Sequence, residues 1–80
     1  MKTIAITGIS GYIGTRLLSR LSMTESVERI VGVDVKAPRD RPSKLKFYCQ
    51  DMSKPLGDIF VENEVESAIH LAFVLSPTHD

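Results

Sequence analysis

The sequence has no tryptophan, a single cysteine (Cys49) and no excess charge of either sign, with ten Lys and Arg against ten Asp and Glu over 80 residues. One thiol cannot close an internal disulfide, and Cys49 has no Cys or His neighbour at metal-ligand spacing. A disulfide scaffold and a zinc module are therefore excluded. Cys49 falls in an apolar, strand-like run and is expected to be a buried, inert thiol. Balanced charge gives no broad positive field of the kind that gathers nucleic acid or anionic lipid, so no nucleic-acid partner is expected. Long apolar runs are missing too. The stretch after Lys2 is cut at Thr7 and Gly8, too early for a secretory segment, and no run reaches transmembrane length. A cytoplasmic location with no membrane partner is the resulting expectation. The length fits one small domain, which would bury about 60% of the surface its unfolded chain exposes.

What is present alternates between two periodicities. Lys2 to Thr7 (KTIAIT) reads as a first strand with Ile4 and Ile6 buried. From Tyr12 to Met23, the residues Ile13, Leu17, Leu18 and Leu21 recur at steps of three and four, the apolar stripe of a helix packed on a sheet. Arg29 to Val35 (RIVGVDV) is a nearly continuous apolar run, as expected of a parallel strand covered on both faces. The following KAPRDRPS, with two prolines and four charges, has loop chemistry. Lys44 to Cys49 predicts a short third strand. If that strand runs parallel to the second, the loop must recross roughly 17 Å, and eight extended residues reach about 26 Å, so no helix is required. Pro55 to Asn63 places Leu56, Ile59 and Phe60 on one helical face, and Ser67 to Leu75 predicts a fourth strand.

The segment TGISGYIG, Thr7 to Gly14, occupies the first strand-to-helix turn. There a first glycine (Gly8) permits the tight path, a second (Gly11) lets the main chain approach a bound group, and a third (Gly14) lets helix and strand pack closely. Amides of the first helical turn and the positive end of the helix dipole would face a pyrophosphate. The spacing is one residue wider than the common G-x-G-x-x-G form, and strand-to-helix corners also use glycine for purely steric reasons. A second feature agrees with the first. Asp34 ends the second strand twenty positions beyond Gly14, where a carboxylate can accept hydrogen bonds from an adenosine ribose. Its charge would repel an added ribose phosphate and favour NAD over NADP. Lys36, Arg39 and Arg41 read as a solvated charged loop, although a mobile basic loop could supply a counter-charge.

With these residues in place the sequence resembles the extended short-chain dehydrogenase/reductase superfamily, also called the NAD-dependent epimerase/dehydratase family. Thr7, Gly8, Gly11 and Gly14 match its T-G-x-x-G-x-x-G signature, and Asp34 its second-strand acid. Asp51 and Met52 match its acid and apolar pair after the third strand. His70, Leu71 and Ala72 match its H-L-A-A, with Phe73 in place of the second alanine. The resemblance implies an α/β fold: half of a Rossmann fold, a parallel sheet of about four strands in the order 3-2-1-4 with helices packed on it. It implies further that main-chain groups of Tyr12 and Ile13 hold the pyrophosphate, that Asp51 and Met52 contact the adenine, and that Leu71, Ala72 and Phe73 flank the adenosine half. On the residues alone, Asp51 could instead cap the following helix, and His70 reads as a core histidine rather than an acid or base.

Members of that family carry a catalytic Tyr-x-x-x-Lys pair beyond the fourth strand. Here Tyr12 is followed four positions on by Arg16, and Tyr48 by Met52, so neither reproduces the pair. No Ser-His-Asp grouping, paired carboxylates or metal cluster stands in for it, and Glu62, Glu64 and Glu66 read as a solvated helix end and turn. The expectation is the amino-terminal, NAD-binding part of an epimerase, dehydratase or dehydrogenase. It would be inactive alone and would self-associate through an exposed sheet edge. A small non-catalytic nucleotide-binding or redox-sensing module is the alternative, and a domain whose glycines are purely structural is a third.

Overall fold

The computed structural model describes residues 2–51 and 53–71. Its elements are β1 (Lys2–Thr7), α1 (Tyr12–Ser22), β2 (Val27–Asp34), β3 (Leu45–Cys49), α2 (Gly57–Glu62) and β4 (Ser67–His70). The four strands form one sheet in the order β3-β2-β1-β4, and every neighbouring pair is parallel. This is an α/β, half-Rossmann-like arrangement, with the strand order that the resemblance implies.

The two apolar faces of the central strands set the layers. On one face Ile6 and Ile30 are fully buried with Ile9, Leu18 and Val27, and Leu17 and Leu21 of α1 pack against them. On the other face Ala5, Val31 and Val33 are covered by Ile59 of α2, with Leu56 and Phe60 beside it. Because β1 has a neighbour on each side and a helix over each face, Ala5, Ile6 and Thr7 are all buried. The expected alternation, with Ile4 and Ile6 as the buried pair, is thus corrected. Ile4 is half-buried, and the threonine and alanine positions face a second core rather than water.

α1 departs from its expected stripe at one position. Leu17, Leu18 and Leu21 face the sheet, but Ile13 is 62% exposed. Ile9, in the preceding turn, occupies the place against the strands, and Ile13 lies outside the cluster. The helix ends with Met23 as its cap, where the Met23 amide and the Thr24 hydroxyl both donate to the Arg20 carbonyl, satisfying a group the last turn leaves open.

The β2–β3 connection crosses without a helix, as its reach allows. It is anchored where Lys44 Nζ donates to the Thr24 carbonyl at 2.9 Å and the Leu45 amide to the Pro42 carbonyl at 2.9 Å. α2 begins two residues later than Pro55 suggests and is pinned at its far end. There Asn63, buried, donates through Nδ2 to the Ile59 carbonyl at 2.8 Å and to the Tyr48 hydroxyl at 2.9 Å.

Edge positions overturn two burial expectations. Cys49 is exposed, its thiol directed to the Val35 carbonyl at 3.4 Å. His70 is exposed as well, with Nδ1 3.2 Å from the Thr7 hydroxyl. Both end strands that, among the described residues, have a neighbour on one side only. An apolar run does not reveal that a strand lies at a margin. The reading of Glu62, Glu64 and Glu66 as a solvated turn holds: all three are exposed, and Glu64 has a positive φ of 54°.

Candidate functional site

The carboxyl ends of parallel strands β1 and β2 bring the glycine turn and Asp34 together. Gly8 leaves β1 with φ 78°, in the left-handed region that a side chain disfavours, and its amide donates to the Val33 carbonyl at 2.9 Å. Gly14 is buried in the first turn of α1. A Cβ there would come within 2.5 Å of the Gly8 carbonyl oxygen and 2.6 Å of that of Ile9, so only glycine lets the helix pack this close.

Gly11 differs from both. Its φ of −77° suits any residue, it is exposed, and an added Cβ would meet nothing nearer than the Gly8 oxygen at 3.6 Å, ordinary contact. The fold itself therefore does not require glycine at this position. Gly11 is the N-cap of α1 and supplies no side-chain cap. The first intrahelical bond runs from the Thr15 amide to the Gly11 carbonyl at 2.8 Å, leaving the amides of Tyr12, Ile13 and Gly14 without acceptors inside the helix. No acidic residue stands in the first turn to offset the positive end of the dipole.

Asp34 is tied to this turn. Its Oδ2 accepts from the Ser10 amide at 3.0 Å and its Oδ1 from the Val35 amide at 2.7 Å. Each oxygen keeps a second lone pair, so the carboxylate can take further donors from outside the chain. Ser10, which the motif reading passes over as a variable position, is the residue that joins the two strand ends: its hydroxyl donates to the Lys36 carbonyl while its amide holds Asp34. A small polar residue just before the middle glycine was the available signal.

Beside Gly11 opens a cleft of about 620 Å³ bordered by Ser10, Tyr12, Arg16, Lys36 and Arg39. The cleft reaches the turn at Gly11 and Tyr12 and extends toward the loop after β2, where Asp40 also borders it. Of the three cations read as a solvated loop, Lys36 and Arg39 border this cleft, whereas Arg41 lies over the Phe47 ring at 5.5 Å from its centroid.

The other candidate positions separate. Asp51 is exposed and closes its own turn, with Oδ1 accepting from the Ser53 amide at 2.9 Å and the Ser53 hydroxyl at 2.8 Å. The bond from the Ser53 amide, then that from the Ser53 hydroxyl, holds its carboxyl below the usual range. It does not cap α2, whose cap position is Leu56. Leu71 is half-buried against the core beneath α1, and its amide donates to the Thr7 carbonyl at 3.0 Å. Met52, Ala72 and Phe73 lie outside the described residues. Among the described residues no group of three or more His, Cys, Asp or Glu gathers to hold a metal ion. No helix there is long and apolar enough to cross a membrane.

Comparison with protein-family models and with curated proteins finds no match.

Proposed function

We propose that this chain is a dinucleotide-binding unit of the extended short-chain dehydrogenase/reductase type, taking NAD in preference to NADP. The observation that carries the reading is Gly11: a glycine that neither the backbone conformation nor the packing demands, at the mouth of an open cleft, beside three amides without helical acceptors. A pyrophosphate seated there would accept from the amides of Tyr12 and Ile13, and a side chain at Gly11 would stand in its way. Asp34 would accept from the adenosine ribose through its remaining lone pairs, and Asp51 and Leu71 would border the adenosine half.

When bound, a nicotinamide dinucleotide supplies hydride chemistry. The residues of this chain bind and orient it, and the proton transfers of an epimerase or dehydrogenase would require the Tyr-x-x-x-Lys pair that neither tyrosine here matches. The unit is therefore read as binding without catalysis by itself. Calorimetric titration with NAD and NADP tests the cofactor. NAD should bind at least tenfold more tightly, a difference of about 1.4 kcal/mol, and Asp34→Ala should erase that preference by removing the carboxylate's repulsion. Equal affinity for both cofactors, or a preference unmoved by Asp34→Ala, would contradict the role given to Asp34. Absence of binding by either would favour purely structural glycines.

A further inference from the structure

The outer side of α1 presents an unusual surface for a helix of this size. Tyr12 is 78% exposed, Ile13 62% and Met23 78%, and together with Leu17 they line a shallow groove whose charged members are Arg16 and Arg20. Arg16 is held in place by Tyr12, with its guanidinium 5.6 Å from the ring centroid and Nη1 donating to the hydroxyl at 3.4 Å. Two such faces brought together would set arginine against arginine, so the groove does not complement itself.

Its complement is present elsewhere in the same molecule. On α2, Asp58, Val61 and Glu62 stand at positions i, i+3 and i+4 on one exposed helical face, with Val61 79% exposed; Glu64 and Glu66, both exposed, follow directly. Within a chain that is neutral as a whole, Arg16 and Arg20 make the α1 groove basic, and Asp58 and Glu62 make the exposed α2 face around Val61 acidic. α1 covers the sheet face of Ile6 and Ile30, and α2 the opposite face of Ala5 and Val31. The two surfaces therefore point away from each other and cannot meet within one copy.

We propose that the α1 groove is a docking site for the α2 face of a second copy of this chain. The contact is heterologous, because the two partners use different surfaces. Each copy keeps a free groove and a free acidic face, and association continues with concentration rather than stopping at a dimer. The groove shares Tyr12 and Arg16 with the border of the cleft beside Gly11, and the contact is distinct from pairing through the sheet edge.

Sedimentation velocity over a concentration series provides the test. The wild-type chain should rise past twice its 8.9 kDa mass without a plateau at the dimer. It should return toward monomer in about 1 M salt, where charges are screened beyond about 3 Å. The double variants Arg16→Glu/Arg20→Glu and Asp58→Lys/Glu62→Lys should each be monomeric while keeping the far-ultraviolet circular dichroism of the parent. Their equimolar mixture should regain association, since the intact acidic face of one meets the intact groove of the other and the two charge-reversed surfaces also complement each other. A wild-type chain that stays monomeric at every concentration would overturn the proposal. So would association indifferent to salt and to both charge reversals, which is the behaviour of sheet-edge pairing, or a mixture that remains monomeric.

Discussion

Two strand-to-helix corners lie at the same end of this sheet, and they are built differently. At the β1–α1 corner, Gly8 takes a positive φ, Gly14 leaves no room for a Cβ, and the helix start has neither a side-chain cap nor an acid in its first turn. At the β3–α2 corner, Asp51 satisfies the Ser53 amide and hydroxyl, Asp58 stands in the first turn of the helix, and a Cβ on Gly57 would meet nothing within 4 Å. One corner has no acid in its first helical turn and draws a carboxylate, Asp34, from the next strand. The other carries its own acids. The contrast shows that a glycine in a turn carries no fixed meaning: Gly8 answers to conformation, Gly14 to packing, and Gly57 and Gly11 to neither, Gly11 being the one we propose serves a ligand.

The largest effect that would sharpen this contrast is on stability. Gly14→Ala drives a methyl group into two carbonyl oxygens and should cost about 3 kcal/mol, read as a lower midpoint in urea unfolding. A cost under about 0.5 kcal/mol would mean that α1 can move off the turn freely. Gly57→Ala is the opposite case. It fills open space in the first turn of a helix and should stabilise the chain by about 0.5 kcal/mol through reduced freedom of the unfolded state, and a loss of stability would show that the corner needs its glycine. The smallest effect is the titration of Asp51. Its folded carboxyl ionises below the usual range, so the stability it contributes is present above the unfolded pKa and is lost as pH falls through the folded value. Unfolding midpoints measured across acid pH should therefore decline less for Asp51→Ala than for the parent. Identical declines would remove Asp51 from the account of this corner.

Much of the fold was legible because its signals are local. The β-branched runs of β1 and β2, the leucine steps of α1 and the proline-rich loop each specify their own element, and a connection too charged to be a helix still had the reach to cross in parallel. What escaped depends on neighbours. Cys49 and His70 belong to apolar stretches, and only the strand order shows that those stretches end at margins where one flank is open to solvent. Ile13 fits the helical period, yet Ile9 from the turn takes the place against the sheet. At the site, the glycines and Asp34 were visible by type and spacing. The link through Ser10 is only half visible in the sequence: the amide that holds Asp34 is a backbone group every residue possesses, while the hydroxyl that reaches the Lys36 carbonyl is specific to its side chain.

The central claim is that Gly11 is a glycine for the sake of a ligand and not of the fold. Titration of Gly11→Val with NAD, alongside its urea unfolding curve, puts this to the test most directly. The account predicts an unfolding free energy within about 1 kcal/mol of the parent together with loss of detectable binding. A folded Gly11→Val chain that binds NAD with the parent's affinity would contradict it.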